Sequence, residues 1–162
     1  MSGLSFATGF LPTSVVLLTA AAGGRRDVMT ATASFVAEDR PLLVVSLARH
    51  LLSHELVNES GEFVLNVASR DQARLAGQVG SVHGKDVDKF DRFGLVTLPA
   101  QRVSAPRLAG SYAFLECRVV DSFPTTGTTV FVAEVVIAES DPATAPLLWH
   151  GGDFYPLGDA MG

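Results

Sequence analysis

Apolar positions along this chain fall into short runs separated by Gly, Pro and charged residues. Ser14–Ala20 reads as a buried strand, and Gly23-Gly24-Arg25-Arg26-Asp27 as the turn after it. Val28–Phe35 continues extended. Pro41 opens Leu42–Leu47, a run of leucine and β-branched residues with the composition of a central strand. Leu51–Ser60 carries the helical period: Leu52, Leu56 and Val57 share a face, and Gly61 stands where a helix stops. Glu62–Ala68 alternates with period two, placing Phe63, Leu65 and Val67 on one face. Ser69-Arg70-Asp71-Gln72 has the spacing of a capping box and predicts a helix to about Val79. Asp86–Phe93 predicts a further helical turn with Phe90 and Phe93 inward. Two long strands follow, Ser111–Phe123 and Thr128–Glu139, joined by the turn Pro124-Thr125-Thr126-Gly127, and a last strand, Leu147–His150, ends at Gly151-Gly152. Strands dominate and helices are inserted between them. That order predicts a mainly β fold, a closed antiparallel barrel with helical insertions rather than a doubly wound parallel sheet. No repeat or low-complexity linker interrupts it, so the expectation is one domain over residues 1–162.

Composition adds a partner. Of the 162 residues, 48% are hydrophobic and only 18% charged, more apolar than a monomer needs, which predicts a homo-oligomer. A net charge of −5 argues against a nucleic-acid partner, because phosphate binding needs clustered Lys and Arg. The single cysteine, Cys117, excludes an internal disulfide and fits a reducing cytoplasm; in YAFLECRVV it reads as a core residue rather than a nucleophile. Before Arg25 no residue is charged, so a signal peptide lacks its positive start. A membrane helix needs roughly twenty apolar residues, and Gly9, Pro12, Thr13 and Ser14 break the run. The expectation is a soluble, cytoplasmic protein.

One stretch is unusual: Val28-Met29-Thr30-Ala31-Thr32-Ala33-Ser34-Phe35 keeps only small residues and hydroxyls at its centre. Ala, Ser and Thr fill a core poorly but leave the backbone open to a flat ligand. Other chemistry is excluded. Gly77, Gly80 and Gly84 do not make a dinucleotide-binding G-x-G-x-x-G. Gly80–Asp86 is one residue short of a phosphate-binding P-loop and has Asp where its hydroxyl belongs. No G-x-S-x-G elbow occurs. His50 and His54 share helical spacing without a third metal ligand, so no metal site is expected. The charge-dense GKDVDKF reads either as a solvated helix start or as a lysine beside a ligand phosphate.

Taken in order, these pieces resemble the flavin reductase-like, FMN-binding split-barrel family, and most closely its flavoredoxin-like branch. SVVLLTA resembles the first strand, MTATASF the flavin loop, and AEDRPLLVVSLAR the turn and strand that follow. SHELVNESGEFVLNVAS, GKDVDKF, FLECRVVDSF, TTVFVAEVV and FYPLG continue the likeness over about Ser14–Gly158. The resemblance implies an antiparallel, Greek-key-like split barrel that binds FMN, with FAD possible, as a homodimer. It implies hydride transfer from NAD(P)H to flavin, with reduced flavin supplied to a monooxygenase or another acceptor. Thr30, Ala31, Thr32, Ala33 and Ser34 would lie along the ring, and Ser46, Leu47, Ala48 and Arg49 would form the second contact strand. Arg49, Ser53, Lys85 and Lys89 match positions near the phosphate. No side chain is assigned as a catalytic acid or base, since the flavin does the chemistry.

One departure bears on the nicotinamide. Where many family reductases carry G-D-H, this chain has Gly127-Thr128-Thr129. Thr129, His150 and Phe154 are the remaining candidates for that side. The missing histidine favours an alternative, an FMN electron carrier reduced by a protein partner; a third alternative, from a different class, is a non-catalytic flavin, haem or deazaflavin-binding module.

Overall fold

Gly23 and Gly24 both adopt positive φ, 56° and 77°. Two such residues make the tight turn whose twist matches the strands on either side of it. The turn is therefore only two residues long, and Arg25-Arg26-Asp27, expected within it, already belong to a strand. In the computed structural model, which describes residues 4–162, a 3-10 helix over Leu4–Phe10 leads to β1 (Thr13–Ser14), β2 (Val16–Ala22) and β3 (Arg25–Ala31). The extended run expected to Phe35 breaks at Thr32-Ala33. Next come β4 (Ser34–Ala37), β5 (Leu42–Ala48), α1 (Leu52–Ser60) and β6 (Glu62–Val67). A short 3-10 turn, Arg70–Gln72, runs into α2 (Ala73–Gly80), and α3 spans only Lys89–Arg92. The remaining strands are β7 (Thr97–Leu98), β8 (Arg107–Leu108), β9 (Ala113–Pro124), β10 (Thr128–Ser140), β11 (Leu147–His150) and β12 (Asp153–Pro156). Residues 1–3 of the single-domain expectation lie outside the described residues.

Seven strands form one antiparallel sheet in the order β3-β2-β6-β9-β10-β5-β4. Its two outer strands are consecutive in the chain, so the sheet curls until β3 and β4 meet at Thr32-Ala33. The result is a barrel with an open seam. Inside it lies one core, built from Val16, Leu18 and Leu47 with Phe63, Leu65 and Phe131, and closed at one end by Leu56 and Val57 of α1. The opposite face of β2 buries Leu17, with Val15 just before it, in a second core under α2, with Ala76, Val79, Phe90 and Leu147. Strand β2 is thus buried on both sides, which is why its sequence is continuously apolar.

Gly61 stops α1 at φ 68°, donating its N–H to Val57 O at 2.8 Å. The expected capping box is present, Gln72 Oε1 accepting from the Ser69 N–H at 3.0 Å. A buried ion pair ties the 99–107 segment to β9. The fully buried Glu116 accepts from the N–H groups of Gln101 (2.9 Å) and Arg102 (2.7 Å) and from Arg107 Nε (2.8 Å). Burial pushes that carboxyl up, but the backbone donors and Arg107 outweigh it and hold it below the usual range. Cys117 is fully buried, and burial pushes its thiol up to about 12.

Candidate functional site

At the seam, where small residues keep β3 thin, lies a cleft of about 400 Å³ lined by Val15, Met29, Thr30, Ala31, Thr32, Ser46, Trp149 and Phe154. Strands β11 and β12 set Trp149 directly across from Phe154, giving the cleft an aromatic wall. The Thr30 hydroxyl turns away and donates to Ala76 O at 2.6 Å, pinning β3 to α2. What β3 offers the cleft at Thr30 is therefore backbone. Thr32 and Ser34 are exposed, and Ala33 packs against the barrel core.

The second wall comes from β5. Its residues alternate, so the Leu47 side chain is fully buried in the core while Ser46 faces out into the cleft. Ser46 Oγ donates to Thr128 Oγ1 at 3.1 Å, and Thr128 Oγ1 also contacts Thr125 Oγ1. Arg49, one residue past Ala48, donates through Nη1 to Thr125 O (2.9 Å) and Thr128 O (2.7 Å), and its N–H donates to Gly127 O. The turn between β9 and β10 is clamped to the cleft edge by this one guanidinium. Thr129 is on the other face of β10: its hydroxyl is hydrogen-bonded to His54 Nε2 at 2.8 Å, and the His54 ring lies 5.5 Å from that of Phe131. Burial, and then the charge of Arg49, lower the His54 pKa below that of a free histidine.

The four phosphate candidates separate. Ser53 is buried and donates to Asp27 Oδ2 at 2.6 Å. Lys89 is also buried; its ammonium donates to Val28 O at 2.8 Å and lies 3.8 Å from Asp27 Oδ1. Burial lowers the Lys89 pKa, opposed by the Asp27 charge. These two side chains form an internal cluster that holds the base of β3, and neither reaches solvent. Asp27 Oδ1 has no hydrogen-bond partner, and Gly84 covers it so closely that a Cβ there would sit 2.2 Å away. Lys85, by contrast, is exposed, 3.8 Å from Glu55 Oε2, beside a hollow shared with His50 and His83. Arg49 is exposed with Nη2 uncommitted.

The nicotinamide candidates separate too. Phe154 lines the cleft, Thr129 points to the opposite face of its strand, and His150 is exposed with its ring 6.4 Å from that of Tyr155.

The model of the flavin reductase like domain matches residues 8–158. The chain belongs to the flavin reductase-like family. A relative from Rhodococcus opacus, the reductase component of 4-nitrophenol 4-monooxygenase/4-nitrocatechol 2-monooxygenase, is 31% identical over 94% of this chain and 80% of its own. The solved NADH:FAD oxidoreductase of Streptomyces globisporus superposes with a TM-score of 0.87 at 27% identity, covering 96% of this chain and 92% of its own. Flavoredoxin of Desulfovibrio vulgaris (Miyazaki F) shares the fold, with a TM-score of 0.88 at 22% identity over 100% of this chain and 96% of its own. In this flavin reductase-like chain the seam gathers Thr30, Ala31, Thr32 and Ser46 with Phe154, whereas Ser53 and Lys89 are gathered around Asp27.

Sequence reasoning did not place Val15, Met29, Trp149 or Thr128 at the site. Trp149 carried a signal. It precedes His150 on a strand, so period two puts the two on opposite faces, and the chain's single tryptophan is the better candidate for an aromatic wall. Thr128 likewise alternates with Thr129, and only the hydrogen bond from Ser46 shows which of the two meets the cleft.

Proposed function

We propose that this chain is an NAD(P)H-dependent flavin reductase that takes FMN, or FAD, with its ring in the seam cleft and supplies reduced flavin to a monooxygenase or another acceptor. The observation that carries the reading is the Met29–Thr32 edge, whose small side chains and open backbone face Trp149 and Phe154 across a cleft of about 400 Å³. That volume falls within the range of small-molecule sites, and its mix of apolar wall and few polar groups suits a flat heterocycle. A bound flavin supplies the hydride acceptor and the electrons that leave. The chain's own residues do the rest. Ala31 and Thr32 present main-chain groups to the polar rim of the ring. Trp149 and Phe154 exclude water from its face. Ser46, fixed by Thr128, offers a hydroxyl at the β5 edge. Arg49 through Nη2, and the exposed Lys85 by exchanging its 3.8 Å contact with Glu55, are the charges that would meet a phosphate.

We infer further that the chain is one flavin reductase-like unit working as a cytoplasmic homodimer. Supporting the dimer, Phe35 and Val36 on the outer strand β4 are 52% and 58% exposed, and Val120 and Phe123 of β9 stay open as well. Among the described residues no helix is long and apolar enough to cross a membrane.

Purified protein loaded with FMN is mixed anaerobically with NADH or NADPH, and flavin absorbance is followed. Bleaching within seconds is the expected result. The second reading, an electron carrier reduced by a protein partner, is favoured by the threonines that stand at the β9–β10 turn in place of histidine. Bound flavin that no nicotinamide bleaches would select that carrier. Failure to bind any flavin would remove both.

A further inference from the structure

In a chain of net charge −5, seven of the twelve Lys and Arg lie within ion-pair distance of a carboxylate among the described residues. Arg70, Arg74, Arg92 and Arg102 do not: among the described residues no carboxylate lies within ion-pair distance of their guanidinium groups, and no carbonyl accepts from them. Two of them meet at one place. A groove of about 850 Å³ runs between α2 and the segments 92–96 and 109–110, lined by Arg74 and Arg92. Arg70 lies four residues before Arg74 in the same helical run. The floor is apolar: Leu75, Phe93 and Leu95 pack down on the second core, and Val96 at the lip is 66% exposed. Asp71 is the one acidic residue on the rim, and it pairs with none of these arginines.

The flavin cleft lies on the other side of the same helix. Gly80 of α2 approaches Thr30, a Cβ there being 3.6 Å from the threonine side chain, and Gly77 faces Phe154. Gln72, Leu75 and Gln78 of the same helical run face the groove. The two sites share no lining residue. They are separated by about one helix diameter, ~10 Å.

We propose that this groove docks the protein that consumes the reduced flavin, through a segment of that partner carrying Asp or Glu beside a large apolar side chain. The inference rests on the reading that reduced flavin leaves for a protein acceptor. Guanidinium groups without a carboxylate partner around an apolar floor, Arg92 lying 6.0 Å over the Phe93 ring, recognise that chemistry: the arginines steer and orient acidic groups, and the buried apolar side chain holds. A groove this open, with no buried charge at its base, suits a peptide segment rather than a small anion. Docking there sets the acceptor one helix away from the cleft, so flavin or electrons cross a short, defined gap.

The test uses the full chain, isotope-labelled, and a synthetic peptide with Leu-Phe at its centre flanked by Asp and Glu. Amide shifts are expected at residues 72–78, 92–96 and 109–110. Double charge reversal, Arg74→Glu with Arg92→Glu, is expected to weaken the peptide about tenfold or more and to leave NADH oxidation with free FMN unchanged. Shifts confined to other surfaces would overturn the proposal, as would undiminished affinity in the reversed variant or equal binding of a peptide with Lys for every acid. Peptide binding is read without flavin turnover. A protein that binds the peptide but oxidises no nicotinamide therefore counts against the reductase reading, and one that turns over but shows no shifts counts against the groove.

Discussion

Replacing Gly84 by Ala tests the packing that seats the Lys85 loop. An ideal Cβ at this position lies 2.2 Å from Asp27 Oδ1 and 2.5 Å from its carboxyl carbon. Ordinary contact begins near 3.4 Å, so either the loop or the carboxylate must give by about 1.2 Å, the difference between those two distances. Gly84 is not among the glycines at positive φ, so no backbone strain enters. If the carboxylate moves, its 2.6 Å bond from Ser53 is lost, a charge-assisted bond in a buried site. If the loop moves, the overpacking is felt there. Either route costs about 2–3 kcal/mol, slightly offset by the smaller unfolded-state entropy of Ala. For a chain of this size that lowers the melting temperature by about 4–12 °C. Calorimetry or a urea titration reads it, and a double-mutant cycle assigns it. In an Asp27→Ala background the obstructing carboxylate is gone, so adding Gly84→Ala is expected to cost almost nothing. A loss under about 0.5 kcal/mol in the single variant, or the same loss in both backgrounds, would refute the reasoning.

Ala31→Leu fills the cleft and is expected to abolish FMN binding while the protein stays folded; unchanged affinity in a fluorescence titration would move the ring elsewhere. Arg49→Ala is expected to weaken FMN about tenfold more than riboflavin, because only FMN offers a phosphate to the guanidinium; equal losses would leave Arg49 as a clamp on the β9–β10 turn alone. His54 has a lowered pKa in the folded chain, so the unfolded chain binds its proton first as pH falls below 6.5. Stability is expected to be full above that value and to decline below it, and His54→Gln should flatten this part of the profile in urea midpoints measured at several pH values.

Much of the barrel was legible because its determinants are local. The apolar run of β2, the glycine pair after it and Gly61 at the end of α1 each act through their immediate neighbours. The small-residue edge at Ala31 was legible for the same reason. What the sequence did not disclose depends on contacts between distant positions. The family resemblance put Ser53 and Lys89 near the phosphate, yet each folds onto β3, Ser53 to Asp27 across 26 residues and Lys89 to Val28 across 61. A lysine between a carbonyl and a buried carboxylate cannot be told from a solvent-facing one by its neighbours in sequence. Thr128 could not be told from Thr129 because a strand's two faces are equivalent until its contacts are known.

Cys117 has a consequence for a protein whose product meets air. Reduced flavin that escapes its acceptor reacts with dioxygen and yields peroxide, and peroxide attacks thiolates. With its sulfur sealed inside the barrel and proton-bound at any physiological pH, the chain's single cysteine gives that oxidant nothing to act on, so aerobic turnover leaves the thiol intact.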